Sequence, residues 1–577
     1  MTTISYKLSG ILLTLLTVIL ISCKDDETLQ GNGITEQEWV EGQTYTIPAG
    51  KEKTVAFTAK ASWIAQSSST ALVSLNKNSG GAGKNTLIIR THNSSDKEAI
   101  ITIRVSGYST KSSFKVKIKI NEEDKDREIN DLVNNYLKEK YLWNEEYKTL
   151  TPDFTLAYDD FVKETLGSMR TNNLDKKVYQ GIDGKIYYSL YSYIRKLDPD
   201  LRSNTRAGKD KIEKEKEYSY GFVGLQPVQE LSSSKWFFVI QGVHPGSSAD
   251  QAGLKRGMEI HKVGGESIST KEWKDIYISL IAGDSRSTQQ VTDKDGRVYN
   301  INSGPIEVNP VIYSHVKNNH SHRIGYLVYS KFDAGFDQEL FDVFKKFKKE
   351  NITDLILDLR YNGGGHVISA QLISSCIAGS AYEGEVFSSY RYNEERMKAI
   401  GNKKRTDPFL YSTYENLNTS LAEGAVNLSK VYCLVSGQTA SASELVINSL
   451  RGIDIEVILI GERTNGKNVG MEGTEFTTKA GTYEFFPITF QSYNAKDFGA
   501  YENGFDPDHI INENNPRGRE FEGYKEFGAE DEPLYGKAIS LITRKPFRMD
   551  GSTRSAIEQP RLTTLPIPET RQIGMLK

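Results

Sequence analysis

Hydrophobic and polar residues alternate with a period of two between residues 40 and 122. The alternation comes in short runs such as "TVAFTAK", "AIITIRVSG" and "SFKVKIKI", separated by turn clusters such as "NKNSGGAGKN". Alternate side chains of a β-strand lie on opposite faces of its sheet, so this pattern predicts strands with one buried face. We expect an all-β sandwich of immunoglobulin type. Residues 23–39 before it are polar and contain glycine, which predicts a linker.

The period changes to that of a helix in residues 123–205. Ile129, Val133 and Leu137 recur at helical spacing in "REINDLVNNYLKEKYLWNEEY" and fall on one face. The stretches "YDDFVKETLGSM" and "YSLYSYIRKLDPD" continue the helical interpretation to about Asp200. The charged stretch "RSNTRAGKDKIEKEKEYS" that follows has few apolar residues and predicts a second linker.

Strand-like runs return in residues 216–303, with "YGFVGLQPV" and "FFVIQGV", and continue through residues 304–548. This last region contains three apolar runs of strand length, "ITDLILDLR", "KVYCLVSG" and "IEVILIG". The first two precede a loop and a helical pattern, which favours an α/β domain with a parallel sheet and right-handed crossovers. Loops that leave parallel strands open on the same edge of the sheet, so "YNGGG", "QTASAS" and "ERTNGK" are expected to face one another.

The whole chain is therefore predicted to be a multidomain α+β protein. Its 577 residues exceed what a single core supports. Residues 549–577 have little apolar content and several prolines, so we expect an unstructured tail. The 72 basic and 75 acidic residues give a formal net charge of -3, which provides no basic field to attract nucleic acid.

The chain has three cysteines, and two of them lie in apolar runs. Cys376 and Cys433 are expected to be buried free thiols, and a disulfide in an oxidising compartment is the alternative. No cluster of potential metal ligands stands out in the sequence, so no metal site is expected.

The first residues predict export. Lys7 precedes an apolar run from Ile11 to Ile21 that is too short to span a bilayer well, and Cys23 follows. "LISC" resembles a bacterial lipobox, which implies removal of residues 1–22 as a signal peptide and acylation of Cys23. An acylated Cys23 would hold the protein on a membrane as a lipoprotein of the cell envelope. The alternative is an uncleaved anchor.

The acidic run after the cysteine bears on location. "CKDDE" resembles the tag that directs some Gram-negative lipoproteins to the outside of the outer membrane. The resemblance implies an outer-membrane protein exposed at the cell surface. A short acidic run that arose by chance is the alternative.

Ser441 in "SGQTASASELV" is a candidate nucleophile at a predicted helix start. Free N–H groups and the helix dipole favour developing negative charge there, although an N-capping serine is the simpler interpretation. The loop after the third strand supplies Lys467 as a base, if burial lowers the lysine pKa from about 10.4 to near 7. The N–H group of Gly364 or Gly365, together with that of Ala442, could stabilise an oxyanion. A solvated lysine and a tight glycine turn are the structural alternatives.

Resemblances to three known families extend these interpretations. Residues 40–122, with Trp63 in "AKASWIAQ", resemble BACON modules, which implies a carbohydrate site, and a spacer is the alternative. Residues 216–303 resemble a PDZ domain through "HPGSSADQAGLKRGMEI" and "KVGGESI". That resemblance implies capture of a peptide C-terminus, and a scaffold without a ligand is the alternative. The expected carboxylate-binding loop consists of Tyr220, Gly221, Phe222, Val223 and Gly224.

The third family is the C-terminal processing peptidases, also called tail-specific proteases. "LILDLRYNGGG", "TASASE" and "GERTNGK" resemble its signatures in order, and "YLWNEEY" resembles its N-terminal helical segment. The resemblance implies a serine endopeptidase that needs no cofactor, with residues 304–548 as catalytic domain, Ser441 as nucleophile and Lys467 as general base. It also implies supporting roles for Ser436 and Ser443 and a structural role for the turn "GFDPDH".

Two features depart from that family or leave an alternative open. Met471 stands where many members have a glutamine that orients the lysine, so Asn465 or Asn468 is expected to hold Lys467 unless the orienting step is weaker. A second branch uses a histidine, for which His366 is best placed, although a capping or surface role is favoured. The rival function is a catalytically weak or inactive surface lipoprotein that binds a peptide or a glycan.

Overall fold

The computed structural model describes residues 30–48, 51–92, 98–119, 126–180, 186–198, 212, 214–233, 235–268, 273–281, 286–401, 403, 405–515, 521–546, 562–564 and 575–576. The chain divides into two compact units, residues 1–125 and 126–577, which are described separately. The expected signal peptide, Cys23 and most of the charged linker before residue 216 lie outside the described residues.

The described part of the first unit consists of two β-sheets around one core. Their orders are β1-β3-β7-β5 and β2-β9-β8-β4-β6. The alternation of the sequence accounts for them, because inward-facing Phe57, Ile89, Ile103 and Phe114 are at most 2% exposed. The strands are β1 (Ile34–Thr35), β2 (Thr44–Pro48), β3 (Glu52–Ala59), β4 (Trp63–Ser67), β5 (Val73–Leu75), β6 (Ser79–Gly80), β7 (Gly83–Thr91), β8 (Glu98–Val105) and β9 (Lys111–Lys119).

Two details of this unit differ from expectation. The linker predicted for residues 23–39 ends earlier, because β1 pairs with β3 and Trp39 is buried against Phe57. A two-residue strand is too short to show a period in the sequence. Trp63 is 1% exposed and packs edge-on against Phe57, with ring centroids 5.0 Å apart, so its ring face is not available to stack on a sugar.

The second unit begins with the predicted helices, α1 (Arg127–Lys140), α2 (Asn144–Tyr147) and α3 (Tyr158–Gly167). The helical prediction for "YSLYSYIRKLDPD" is wrong. This stretch contributes to β11 (Ile186–Leu190) and β12 (Tyr193–Lys196), after β10 (Lys176–Gln180). Tyrosine favours strands, and pairing partners are available in β10 and in the segment around Phe485, so tertiary pairing outweighs the weak helical pattern.

Residues 216–307 form a mainly antiparallel sheet with two helices. The sheet order is β13-β19-β18-β16-β15-β14-β32, with β17 paired to β16. Its last strand, β32 (Leu562–Thr564), comes from the C-terminal tail. The elements are β13 (Lys216–Ser219), β14 (Phe222–Glu230), β15 (Trp236–Val243), α4 (Ser248–Gln251), β16 (Glu259–Val263), β17 (Glu266–Ser267), α5 (Trp273–Ile281), β18 (Ser287–Asp293) and β19 (Val298–Glu307).

A six-stranded sheet, β20-β21-β22-β25-β26-β31, supports the candidate site, and its strands are parallel from β21 to β31. The predicted parallel arrangement of the three apolar runs is confirmed. The elements are β20 (Val311–Asn319), β21 (His322–Tyr329), α6 (Asp337–Lys349), β22 (Asp354–Asp358), α7 (Val367–Ala378), β25 (Lys430–Val435), α9 (Ala442–Gly452), β26 (Glu456–Gly461), β31 (His509–Ile510) and α10 (Pro533–Thr543).

These strands are apolar throughout because both sheet faces are buried. Leu357 and Cys433 pack with α7 and α9 on one face, whereas Ile356 and Tyr432 pack with α10 on the other. Short 3-10 turns lie between the main elements at Ala334–Phe336, Ser380–Tyr382, Glu415–Leu417 and Leu421–Glu423.

The remaining strands form two further sheets, β24-β23-β30-β27-β33 and β12-β29-β28. The strands are β23 (Val386–Arg391), β24 (Arg405–Pro408), β27 (Val469–Met471), β28 (Thr474–Thr478), β29 (Gly481–Phe486), β30 (Ile488–Tyr493), β32 (Leu562–Thr564) and β33 (Met575–Leu576), and α8 (Glu394–Ala399) lies between β23 and β24. The prediction of an unstructured tail at residues 549–577 is therefore wrong for β32 and β33, which pair with strands distant in sequence.

A buried charge cluster joins the antiparallel sheet to the parallel one. Arg360 donates to Asp358 at 2.8 Å and to Glu532 at 2.6 Å, and all three side chains have no exposed surface. Arg256, from the antiparallel-sheet region, donates to the Tyr361 hydroxyl at 2.8 Å and pairs with Glu513. Paired in this way, the buried charges avoid the cost of isolation and fix the strand that leads into "YNGGG".

Cys376 and Cys433 are buried free thiols, as the apolar runs predicted. Across the described ranges, no helix combines the length and the apolar character that a membrane crossing needs.

Candidate active site

Three loops at the carboxyl ends of β22, β25 and β26 meet at one edge of the parallel sheet, as predicted. The N–H of Ala440 donates to the carbonyl of Asn362 at 3.1 Å, and the N–H of Asn465 donates to the carbonyl of Thr439 at 2.9 Å. We refer to them as the glycine loop (residues 359–366), the serine loop (436–441) and the lysine loop (462–468).

Ser441 is the last residue of the serine loop and the N-cap of α9. Its backbone has φ 59° and ψ -111°, a conformation that residues with a β-carbon rarely adopt. The side chain has no exposed surface, and Oγ has no hydrogen-bond partner. A buried hydroxyl without a partner on a strained backbone is costly, which points to a role other than capping.

Substitution of Ser441 by glycine is expected to raise the free energy of unfolding by about 1 kcal/mol relative to Ser441→Ala. Glycine adopts a positive φ without the steric cost, and this gain exceeds its greater entropy in the unfolded chain. Urea unfolding measures the difference. In the matched comparison at Ser449, inside α9, glycine should instead be less stable than alanine by about 1 kcal/mol. The same difference in stability between glycine and alanine at both positions would contradict backbone strain at Ser441.

Glu444 links the serine loop to the lysine loop, a role that the sequence interpretation missed. Its Oε2 accepts the N–H of Ser441 at 2.9 Å and that of Lys467 at 2.8 Å. Its Oε1 accepts the N–H of Gly466 at 2.7 Å and the hydroxyl of Thr464 at 2.6 Å. Burial raises the pKa of this carboxyl, and these hydrogen bonds oppose the rise. The Ser-x-x-Glu spacing of a capping box was the available signal.

Lys467 is 1% exposed, and its Nζ has no hydrogen-bond partner within the described structure. Nζ lies 4.2 Å from the centroid of the Tyr191 ring. Burial lowers the lysine pKa to about 7, Asp175 and Glu444 oppose this effect, and Lys177 adds to it. A buried amine is more stable in its neutral form, which can accept a proton.

The first part of the second unit, residues 126–180 and 186–198, supplies the surroundings of the lysine, and we call it the N-terminal segment. The Asp175 carboxylate, itself fully buried, accepts hydrogen bonds from the hydroxyls of Tyr141 and Ser192, each at 2.6 Å. The hydroxyl of Tyr191 donates to Oδ1 of Asn465 at 2.7 Å. These residues precede Lys467 by more than 250 positions in the sequence, and no local pattern indicated them.

Of the two alternatives for Lys467, orientation by Asn465 or Asn468 is excluded in this structure, which leaves a weaker orienting step. Asn465 accepts from Tyr191, Asn468 donates to the carbonyl of Gly499 at 2.7 Å, and neither bonds to Nζ. Met471 is buried within β27 and belongs to an apolar cluster. An aromatic face thus lies where a polar partner was expected.

The glycine loop lies against the nucleophile candidate. A β-carbon on Gly364 would come within 2.8 Å of the Ser441 β-carbon, and Gly364 has φ +108°. Its N–H already donates to Oδ1 of Asn362 at 2.9 Å, which removes Gly364 as an oxyanion donor. In the part of the chain that the structure describes, the N–H groups of Gly365 and Ala442 have no acceptor.

Comparison with known proteins identifies this region. Residues 323–511, which contain all three loops, match the model of peptidase family S41. We call residues 323–511 the S41 domain after this match. The chain is 27% identical over 229 residues to carboxyl-terminal-processing peptidase 1 of Arabidopsis thaliana, and the match covers 39% of this chain and 42% of that protein. It is 24% identical over 313 residues to a carboxyl-terminal-processing protease of Picosynechococcus, covering 52% of this chain and 65% of that protein. The chain thus covers less than two thirds of either relative.

A crystal structure shows the same fold over a larger part of the chain. It is that of a Bacteroides fragilis protein named as a candidate S41 protease. The two superimpose with a TM-score of 0.56 at 24% identity, over 72% of this chain and 97% of that one. The fold around the S41 domain is therefore shared beyond the family match.

Supporting side chains of the S41 domain hold the loops in place. Ser443 donates to the carbonyl of Asn362 at 3.0 Å, and Ser436 donates to that of Arg360. In the "GFDPDH" turn, the N–H of Phe505 donates to the Thr464 hydroxyl at 2.7 Å, so this turn packs against the lysine loop. Its position fits the structural role expected for it.

His366 is not hydrogen-bonded to Ser441 in the S41 domain. Its Nδ1 accepts the N–H of Ala334 at 3.2 Å, and its Nε2 lies 3.9 Å from a carboxylate oxygen of Glu215. The structure thus provides no serine–histidine pair here. Within the described ranges, no group of three or more histidine, cysteine or acidic side chains is placed to hold a metal ion.

The expected carboxylate-binding loop, residues 220–224, lies outside the S41 domain and is closely packed. Tyr220 and Phe222 are buried in the core of the antiparallel sheet. The N–H of Gly221 donates to Oγ of Ser219 at 3.0 Å, and a β-carbon there would clash with Ser247. The glycine is therefore required by internal packing in this structure.

Proposed function

We propose that this protein is a serine endopeptidase of the C-terminal-processing type. One observation carries the proposal: Lys467, with a pKa near 7, and the Ser441 hydroxyl are both buried and have no hydrogen-bond partner. The backbone N–H groups of these two residues donate to the same carboxylate oxygen of Glu444. The names of the relatives support the reaction class. In this proposal, the protein hydrolyses peptide bonds of protein substrates with a Ser441–Lys467 dyad.

The reaction follows from these positions. The neutral amine of Lys467 takes the proton of Ser441, and Oγ attacks the carbonyl carbon of the scissile bond. The N–H groups of Ala442 and Gly365 stabilise the oxyanion, and each donor of this kind typically contributes about 2.7–4 kcal/mol. The protonated amine gives its proton to the leaving nitrogen. Water then hydrolyses the acyl-enzyme, and no cofactor takes part.

Substrate access requires a movement, because Ser441 and Lys467 have almost no exposed surface. Tyr191 covers the amine and belongs to the N-terminal segment, which is outside the three loops. We therefore assign this segment the role of a lid. Closure around the substrate excludes water and strengthens the electrostatic interactions inside the site.

Recruitment and location rest on the sequence resemblances. The PDZ-like region, residues 216–303, would bind the C-terminal part of a substrate. Acylated Cys23 would anchor the protein to the outer membrane, facing the outside of the cell, and mass spectrometry of the N-terminal peptide tests the acylation. A glycan partner of the sandwich would need a surface other than Trp63, which is buried.

A fluorophosphonate probe tests the proposed function. The soluble chain from residue 24 should be labelled once, on the peptide that contains Ser441, and should cleave an unfolded model protein. Mass spectrometry reads both results. A folded protein that neither reacts with the probe nor cleaves would favour the rival function, a catalytically weak or inactive lipoprotein that binds peptide or glycan. The complete burial of Ser441 is the observation that supports this rival function.

The labelling rate is expected to rise with pH and to level off above about pH 8. A base with a pKa of about 7 is roughly one-tenth neutral at pH 6 and nine-tenths neutral at pH 8, so the rate should increase about tenfold between them. Rate constants measured from pH 5 to 9 give the profile. A flat profile, or a midpoint near the ordinary lysine value, would contradict the role of Lys467.

A further inference from the structure

The C-terminal tail adds a strand to the open edge of the antiparallel sheet. β32 pairs antiparallel with the end of β14, so that Thr564 is opposite Val228 and Leu562 is opposite Glu230. β14 begins within the expected carboxylate-binding loop, at Phe222. Addition of an extended segment to a sheet edge is the general manner in which such sheets bind peptides.

One side chain of the tail packs, partly buried, against an apolar cluster. Leu562 packs against a cluster that includes Val228, Phe237, Phe521 and Tyr524, each at most 8% exposed. The carbonyl of Leu562 also accepts the N–H of Phe521 at 3.2 Å. An apolar cluster beside a line of backbone hydrogen bonds provides selectivity for one side chain of an extended ligand.

The end of the tail occupies a second edge, beside the lysine loop. β33 pairs parallel with β27, so that Met575 is opposite Gly470 and Leu576 is opposite Met471. Gly470 follows Lys467 by three residues. The last described residues of the chain therefore pair with β27, the strand that begins two residues after Lys467, the proposed general base.

Both contacts are small enough to be exchanged. β32 has three residues and β33 has two, so each contributes few backbone hydrogen bonds. Each hydrogen bond contributes a net stabilisation of about 0.5–1.5 kcal/mol. A few such bonds hold the strand in place only because the tail is part of the same chain and is therefore present at a high effective concentration. An extended polypeptide with an apolar residue at the Leu562 position offers the same interactions from another molecule.

We propose that the edge of β14 and the edge of β27 are docking sites for an extended polypeptide, and that the tail of this chain is their resident ligand. The inference rests on the proposed function, because a segment bound at both edges competes with substrate for the same site. When an unfolded substrate binds, it displaces the tail and thereby gains access to the candidate active site. The substrate class is an extended chain with an apolar side chain for the cluster that Leu562 contacts.

Peptide binding tests the docking sites without any catalysis. A fluorescein-labelled peptide of residues 561–577 is titrated into full chains that carry Ser441→Ala, so that no cleavage occurs. Leu562→Asp in the protein should undock its own tail and lower the apparent Kd of the peptide about tenfold. This estimate assumes an effective tail concentration on the order of 1 mM and an intrinsic Kd of about 0.1 mM.

Two controls make the binding result decisive. Ile510→Asp introduces the same charge at an 83% exposed position of the S41 domain and should leave the peptide Kd unchanged. A peptide that itself carries Leu562→Asp should bind at least about fivefold more weakly. Equal Kd values for the three proteins, or no peptide binding to any of them, would overturn the proposal.

Cleavage assays separate this inference from the proposed function. With Ser441 intact, Leu562→Asp should cleave an unfolded protein several-fold faster than the unmodified chain, and the added peptide should slow it. Equal rates in the two chains would overturn the competition between tail and substrate. If neither chain cleaves, the proposed function fails, and the peptide titration still decides whether the edges are docking sites.

Discussion

Replacement of Ser441 by alanine is expected to lower the rate of substrate cleavage by at least about 10⁴-fold. The substitution removes the proposed nucleophile, and loss of a nucleophile in serine peptidases costs at least this much. The readout is the initial rate of peptide-bond cleavage in an unfolded protein. Fluorophosphonate labelling should disappear in parallel.

Ser449→Ala provides a matched control for this result. Ser449 lies on the same helix, has no exposed surface and has a hydroxyl without a hydrogen-bond partner. It therefore matches Ser441 in burial and in its unpaired hydroxyl, but it does not lie in the serine loop. Its rate should stay within about twofold of the unmodified protein. Substantial residual cleavage by Ser441→Ala at high purity would assign the nucleophile to another residue.

Replacement of Lys467 by methionine is expected to abolish cleavage and at the same time to stabilise the protein. A shift of the lysine pKa from 10.5 to about 7 means that burial of the charged form opposes folding by about 4 kcal/mol at pH 7. Methionine removes this cost, and loss of the attraction to Asp175 and Glu444 makes the gain smaller. Urea unfolding and initial rates measure the two effects.

The pH dependence of the stability gain identifies its cause. The folded pKa lies below the unfolded one, so the penalty is fully present below pH 7, declines as the pH rises, and vanishes above about pH 10.5. The stability difference between Lys467→Met and the unmodified protein should follow the same course. Lys479→Met, at an exposed position, should change neither stability nor rate. A lower free energy of unfolding for Lys467→Met than for the unmodified protein would contradict the claim that burial of the charged lysine opposes folding.

The sequence was sufficient to predict the parallel core and the meeting of three loops. Apolar runs of strand length identify β22, β25 and β26, and parallel strands place their loops at one edge. Ser441 and Lys467 were identified in those loops because their motifs are local and ordered. Local motifs can therefore indicate the residues of a candidate dyad.

The surroundings of Ser441 and Lys467 could not be predicted, because they depend on tertiary contacts. Asp175 and Tyr191 reach the lysine from the N-terminal segment, and the helical pattern assigned to residues 188–200 pointed to the wrong element for Tyr191. Orientation by Asn465, one of the two alternatives for Lys467, is excluded for the same reason, since Tyr191 engages that amide. Strand addition by Leu562–Thr564 likewise depends on a partner more than 300 residues away.

The manner in which Glu444 holds the two loops has a practical consequence. It binds the backbone N–H groups of Ser441 and Lys467 rather than their side chains, so changing either side chain leaves the frame of the site in place. A chain with Ser441→Ala is therefore expected to keep a folded binding surface without the proposed nucleophile. Immobilised on a resin, it should retain the polypeptides that the intact protein would cut, which makes the inactive variant a reagent for identifying natural substrates.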